Sequence, residues 1–282
     1  MVVSKYKLNE LEAINSKDPK KLVRLDNHTD IFLKKFSVVI PAYNEENRIG
    51  PVLREVCETI VERSLPWEVI VSIDGNDRTD ALVREMMSSY KFLNFIKGSG
   101  RSGKGGAIKR TISSTLGEYL ILMDADFSLS FKEMVSKIPL LRGNDVVIFS
   151  RYYGGNKIPL SRRVLSRSFN VITRAITGLR VSDTQSGYKM FRSEIFKKAM
   201  NKVTVTNAVF DVPLLYYIKK MGGNIIEVPG KYIHSDHGKL KPLHMTVSFS
   251  VSLLAFRVRN SPLNKYIPRG IRELYYKKFR WI

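Results

Sequence analysis

The stretch Tyr119-Leu-Ile-Leu-Met-Asp-Ala-Asp126 decides the fold. Five apolar residues end abruptly in two carboxylates one residue apart, which predicts a buried strand over Tyr119–Met123 running into Asp124. Side chains alternate along a strand with period two, so Asp124 and Asp126 are expected on the same side. Such a pair suits a hard divalent cation, Mg²⁺ or Mn²⁺, which binds one or two carboxylates and completes its shell with substrate phosphates. A solvated turn after a strand would carry the same letters, and both readings stay open at this point.

Working outward, the same unit recurs. Phe36–Pro41 is a β-branched run closed by proline and predicts a strand, followed by a polar Asn-Glu-Glu-Asn turn. Arg48–Arg63 spaces Ile49, Val52, Leu53, Val56 and Ile60 at helical intervals. Trp67–Ile73 predicts a second strand, then come an Asp- and Asn-rich loop and a helix through Met87. Phe92–Ile96 predicts a third strand, Gly98–Gly106 a glycine-rich loop, and Ala107–Leu116 a helix. Val146–Phe149 predicts a fifth strand. Strand alternating with helix implies an α/β fold with a mostly parallel sheet and helices on both faces. In such sheets ligands bind beyond the carboxyl ends of the strands, so the Asn44, Asp74 and Asp124 loops are expected to cluster.

Two features point elsewhere. Gly98, Gly103 and Lys104 satisfy the Gly-x-x-x-x-Gly-Lys phosphate loop of an ATPase, but position 105 is Gly and lacks the hydroxyl that would ligate Mg²⁺. From Arg151 to Arg192 nine basic residues face one acid, Asp183, which suggests a phosphate site or nucleic acid. No nucleic-acid motif accompanies it. Across the chain 47 Lys+Arg against 26 Asp+Glu leave a net charge of +21, again implying an anionic partner. His234 and His237 with Asp236 read as a loop with satisfied histidines rather than a metal site, and Asp211 as a residue favouring a helix dipole.

Of the 282 residues, 44% are hydrophobic and 26% charged, the balance of a folded globular chain. Cys57 is the only cysteine, so no internal disulfide can form, in keeping with a cytoplasmic setting. Met1–Asp30 has no apolar core of a signal peptide, and Leu243–Phe256 is short for a span of roughly 20 apolar residues. Met245–Phe256, followed by a run of cations, is expected to dock on a membrane surface; a helix packed on the domain, or a strip that pairs with another subunit, is the plainer alternative.

Taken in order, Val38-Val-Ile-Pro-Ala-Tyr-Asn-Glu-Glu-Asn-Arg-Ile, Gly103-Lys-Gly-Gly-Ala, Asp124-Ala-Asp, Ser150-Arg-Tyr, Asp183-Thr-Gln-Ser-Gly-Tyr-Lys and Phe210-Asp-Val resemble the polyprenyl-phosphate glycosyltransferases of family 2. The dolichyl-phosphate glucosyltransferases are nearest, the dolichyl-phosphate mannose synthases next. Between an extension over 1–35 and a basic amphipathic segment over 241–282, whose apolar-then-basic pattern is read as membrane-associating, the resemblance covers about residues 36–240 and implies a GT-A, Rossmann-like domain. It implies inverting, metal-dependent transfer of a hexose, glucose favoured, from UDP-glucose to a polyprenyl or dolichyl phosphate at the cytoplasmic face of a membrane. GDP-mannose as donor, or a non-lipid acceptor, are the alternatives within the family.

By the same resemblance, Pro41, Ala42, Tyr43 and Glu45 would line the nucleotide, Asp74 would meet the base, and Lys104 would sit nearby. Asp124 would face the sugar or diphosphate and share the metal with Asp126. Arg151, Arg162, Arg163 and Ser166 would hold the acceptor phosphate, with Arg151 and Arg162 also counted as catalytic. The chain departs from the family in carrying Ile73-Asp74 where relatives often have an Asp doublet. It also has Ser128 where the mannose synthases usually have Gln.

Overall fold

The computed structural model describes residues 29–153, 170–207 and 209–233, together with 253, 256–258, 260, 261 and 270. After a short helix α1 (Thr29–Leu33), strands and helices alternate: β1 (Phe36–Tyr43), α2 (Ile49–Glu62), β2 (Glu68–Asp74), α3 (Thr79–Met87), β3 (Leu93–Lys97), α4 (Gly103–Thr111) and β4 (Tyr119–Leu122). Helix α5 (Phe131–Ser136) and a 3₁₀ turn (Ile138–Arg142) lead to β5 (Val146–Ser150). A helix α6 over 170–177 precedes β6 (Lys189–Arg192), α7 (Ser193–Lys202), α8 (Asp211–Lys220) and β7 (Ile225–Pro229).

The seven strands form one sheet in the order β3-β2-β1-β4-β6-β5-β7. Every neighbouring pair is parallel except those of β6, which runs antiparallel to both β4 and β5. The central strands are unbroken apolar runs because both faces are covered. Val38, Ile40, Ile121 and Val147 enter one core with the buried side of α2, whereas Val39, Leu120, Leu122, Val146 and Ile148 enter a second core with α7 and α8. Each such side chain contributes about 1.5–3 kcal/mol on burial. Leu253 and Phe256 are buried in the second core, with Phe256 set edge-on to Tyr216 and Tyr217, so these two apolar side chains face the domain. The rest of the 241–282 segment lies outside the described residues apart from a few positions, as does residue range 1–28. Among the described residues, no helix is long and apolar enough to cross a membrane.

Several element ends shift by a residue from the sequence reading, and three differences bear on the site. Strand β1 does not close at Pro41 but pairs with β2 as far as Tyr43↔Asp74. The Val39 carbonyl accepts from Met123 on the β4 side, so Pro41, two residues on, turns its donor-less nitrogen to the side where β4 has already ended. Helix α4 begins at Gly103, not Ala107, and stops at Thr111, short of Leu116: the glycines are its first turn rather than a loop. A Cβ at Gly105 would stand 2.6 Å from that of Phe210, so the glycine lets this turn press against the 206–210 segment. Finally, β4 ends at Leu122, which places Asp124 and Asp126 beyond the strand, where strand alternation does not apply.

Cys57 lies on the buried side of α2, and burial, with Glu58 beside it, pushes its thiol up to about 12. At pH 8 the thiolate fraction is then on the order of 10⁻⁴. The native protein is expected to resist iodoacetamide at that pH and to be labelled promptly in urea; equal labelling rates in the two conditions would contradict the placement.

Candidate active site

Counted outward from β3, the strands run 3-2-1 and then jump to β4 on the far side of β1, so the helical connections change face between β1 and β4. That switch point opens a crevice at the carboxyl ends. Tyr43 closes β1 on one side of it, and Asp124 follows β4 on the other. The β1 and β2 loops are tied together by the Asn76 amide, which donates to Asn44 Oδ1 at 3.1 Å.

Lys104, in the first turn of α4, donates from Nζ to Asp124 Oδ1 at 2.5 Å. Burial works to raise Asp124, but the Lys104 ammonium, with Lys189 and Arg151 further off, holds it below the usual carboxylate range. Burial likewise opposes the charge on Lys104, yet Asp124, Asp211 and Asp126 together keep it above an ordinary lysine. Asp126 Oδ1 accepts from the Tyr188 hydroxyl at 3.0 Å and the Ser128 amide at 3.1 Å. Burial and the charges of Asp126 and Asp124 push the Tyr188 phenol upward, so it remains a donor.

The reversed strand β6 explains how Tyr188 gets there. Because β6 runs against its neighbours, its beginning lies at the edge where β4 and β5 end, and residues 186–189 border the carboxylates. A Cβ at Gly187 would fall inside contact distance of Asp124 Oδ2 and Cγ. Lys189, wholly buried, donates to the Ser186 carbonyl and, at 2.6 Å, to Asp211 Oδ1 at the start of α8. Burial lowers Lys189 and raises Asp211, each offset by the other's charge. The Asp211 carboxylate therefore has a specific ionic partner as well as a helix N-terminus. Tyr232 closes the turn from behind, donating to the Phe149 carbonyl at 2.8 Å and meeting Ser186 Oγ at 2.9 Å.

Arg151 follows β5 and grips the buried Asp183 with two guanidinium bonds, Nε to Oδ2 at 2.9 Å and Nη2 to Oδ1 at 2.6 Å. Its own backbone amide donates to Asp183 Oδ2 at 2.9 Å. Burial opposes the charge on Arg151 and Asp183 more than restores it, keeping the guanidinium charged. Glu227 of β7 accepts the amides of Ser182 and Asp183, both at 2.7 Å, which fixes the turn carrying Asp183. Burial raises Glu227, and the two amides offset part of that.

The other sequence candidates share this edge with differing environments. Pro41 and Ala42 form the β1 wall, and the exposed Tyr43 ring carries the Arg101 guanidinium 4.6 Å from its centroid. Glu45 is held by Arg48, with Nε and Nη2 each at 2.7 Å from its carboxylate. Asp74 is 3% exposed and points into the protein. Its Oδ1 takes Arg110 Nη2 at 2.7 Å, and its Oδ2 takes the Ser102 amide and hydroxyl, both at 2.7 Å. Burial would raise Asp74, but the Ser102 and Arg110 hydrogen bonds leave it depressed. In this structure Asp74 ties the start of α4 to the end of β2. Arg162, Arg163, Ser166, His234 and His237 lie outside the described residues. Gly187, Tyr188 and Lys189 entered the sequence reading only as the end of the Asp183-Thr-Gln-Ser-Gly-Tyr-Lys motif, and Lys189 as one of the nine basic residues, with no individual role; Glu227 was not singled out.

Asp124 and Asp126 fit a hard divalent cation: the donors are carboxylate oxygens, both close enough in charge to act on Lys104 and Tyr188. Among the described residues no cluster of three His, Cys, Asp or Glu forms around them, so a cation held here draws further ligands from elsewhere, as Mg²⁺ and Mn²⁺ do from substrate phosphates.

The model of "Glycosyl transferase family 2" matches residues 37–200, more than half of the chain. A dolichyl-phosphate beta-glucosyltransferase of Dictyostelium discoideum is 28% identical over 241 residues, covering 79% of this chain and 74% of that protein. The human dolichyl-phosphate beta-glucosyltransferase is 27% identical over 251 residues, 80% of this chain and 76% of its own. Among solved structures, glucosyl-3-phosphoglycerate synthase of Mycobacterium tuberculosis, in complex with Mn²⁺, UDP-glucose and glycerol 3-phosphate, superposes with a TM-score of 0.59. It is 22% identical and covers 79% of this chain and 80% of that one. That likeness speaks for the shared GT-A fold.

Proposed function

The chain belongs to glycosyl transferase family 2, and from that premise we propose that it transfers glucose from UDP-glucose to a polyprenyl or dolichyl phosphate, inverting the anomeric carbon. The observation that carries the reading is the meeting of Asp124, Asp126, Lys104 and Arg151 at the crevice between β1 and β4 and the neighbouring end of β5. Two carboxylates bracketed by cations suit a nucleoside diphosphate on one side and a second phosphate on the other. The relatives named above are dolichyl-phosphate glucosyltransferases, which supports the lipid phosphate and the sugar; the Mn²⁺ and UDP-glucose of the structural neighbour are in keeping with the donor.

A phosphate monoester is already anionic near neutral pH, so its attack needs no strong general base. The chain's task is then positioning and charge stabilisation. Pro41, Ala42, Tyr43 and Glu45, with Asp74 behind them, form the proposed wall for the nucleotide. Asp124 and Asp126 would hold a divalent cation, which when bound neutralises the departing diphosphate. Lys104 stands beside them to share that charge. Arg151, oriented by Asp183, is the described member of the proposed acceptor-phosphate set. Such an acceptor implies work at a membrane surface, with the net charge of +21 favouring anionic headgroups.

The test is transfer of labelled glucose from UDP-glucose to polyprenyl phosphate in liposomes with Mg²⁺ or Mn²⁺. A lipid-soluble product is expected, lowered about 100-fold or more in Asp126→Ala and abolished by EDTA. Absence of a lipid product together with a melting shift on UDP plus metal would remove the lipid acceptor from the proposal. Product from GDP-mannose alone would replace the sugar.

A further inference from the structure

Both oxygens of Asp74 are occupied within the protein. Oδ1 takes Arg110 Nη2, and Oδ2 takes the amide and hydroxyl of Ser102, all three at 2.7 Å. Arg110 closes the circle, with Nη2 also 2.7 Å from Ser102 Oγ. Gly98 packs on this cluster: its amide donates to the Ile73 carbonyl at 2.8 Å, and a Cβ there would overlap Asp74 Oδ1 and Arg110 Nη2. With Asp74 only 3% exposed, a nucleobase finds on it neither open surface nor an unpaired oxygen.

The cluster pins both ends of the segment 98–102 between β3 and α4, Gly98 by close contact and Ser102 by hydrogen bonds. Arg101, next to Ser102, is exposed and sets its guanidinium 4.6 Å from the centroid of the exposed Tyr43 ring. It forms no ion pair with a carboxylate among the described residues. Tyr43 is in turn the β1 residue in register with Asp74 of β2. One residue thus fixes both halves of the stack, the ring through its backbone and the guanidinium through its side chain. An exposed planar cation stacked on an aromatic ring offers a nucleobase a second flat surface beside that ring.

We propose that Asp74 is a positioning residue: through Ser102 it holds Arg101 over Tyr43, and Arg101, not Asp74, meets the base of the nucleotide. Asp74 then serves the nucleotide from behind, a role that rests on the nucleotide-sugar reading of the reaction and differs from the base contact implied by the family resemblance.

The test is calorimetric binding of UDP and of CDP to the full chain in the presence of Mn²⁺. The two bases differ where a carboxylate would read them, since uracil carries an N3–H donor and cytosine a bare N3 acceptor. A carboxylate in contact with the base makes the preference between them depend on its charge; one that holds a loop does not. Asp74→Asn is therefore expected to weaken UDP and CDP alike, by about tenfold each, with their ratio kept within about threefold. Ser102→Ala removes one hydroxyl and is expected to cost about fivefold. Arg101→Ala should cost about tenfold, and adding Ser102→Ala to it less than about twofold more, because the loop then has no guanidinium to present. A general loosening of the fold would add to the loss whichever residue the loop carries. Should Asp74→Asn not melt like the wild type, the Ser102–Arg101 cycle decides alone. Selective loss of UDP in Asp74→Asn, or Ser102→Ala and Arg101→Ala losses that multiply, would overturn the proposal. If the wild type binds GDP and neither pyrimidine nucleotide, the UDP-glucose reading falls and the same cycle is scored on GDP. A chain that binds none of the three overturns both.

Discussion

Gly187→Ala is expected to cut glycosyl transfer by about 100-fold while the protein stays folded. The two halves of that expectation have separate causes. The added methyl would overlap Asp124 Oδ2 and Cγ and stand 2.9 Å from Oδ1, so something must move. No backbone atom is among its three nearest neighbours, and a short carboxylate can rotate away at modest cost. Rotation, however, carries Asp124 off Lys104, and displacing a charge-positioning group by about 1 Å costs on the order of 10²-fold in rate. Gly143→Ala is the control, since its methyl meets nothing within 4 Å. Initial rates of transfer and thermal melts of both variants decide the matter. A Gly187→Ala enzyme within threefold of the wild type, with an unchanged melt, would mean that the Asp124 carboxylate is not where the reaction needs it.

This residue also marks how far the sequence could be read. The β-α alternation and the sheet edge were legible because Val38–Ile40, Val69–Val71 and Leu120–Met123 are buried on both faces, and such runs advertise themselves locally. The rule that ligands gather at carboxyl ends brought the Asn44, Asp74 and Asp124 loops to one edge, whereas Lys104 was placed near them only by the family resemblance. What local pattern does not encode is the reversal of β6, which brings Gly187, Tyr188 and Lys189 to that same edge from the opposite direction. Partners separated in sequence were equally invisible. Arg48, three residues from Glu45, could be foreseen, whereas Arg110 beneath Asp74 depends on the packing of α4. The start of α4 at Gly103 was missed for the same reason: the segment that presses on its glycines lies about a hundred residues later.

Lys189→Met is expected to destabilise the fold strongly, and Lys189→Met with Asp211→Leu to recover much of the loss. Lys189 and Asp211 are both inaccessible and 2.6 Å apart, so each charge is shielded from bulk solvent and depends on the other. Breaking one side of such a pair costs about 3–5 kcal/mol, because the remaining ion stays buried without a partner. At roughly 2–4 °C per kcal/mol for a chain of this size class, the melting point should fall by about 10 °C. Replacing both by apolar groups removes the stranded charge, and such exchanges are often neutral. Function should not return with stability. Asp211 also acts on the Lys104 charge, and Lys189 also holds the Ser186 carbonyl in the turn that presents Gly187 and Tyr188 to the two carboxylates. The double variant is therefore expected to melt near the wild type yet transfer sugar at least about tenfold more slowly, with the loss in kcat. A single variant that loses less than about 1 kcal/mol would show the pair to be incidental to the fold. A double variant with full activity would show that the pair steadies the molecule without shaping the site.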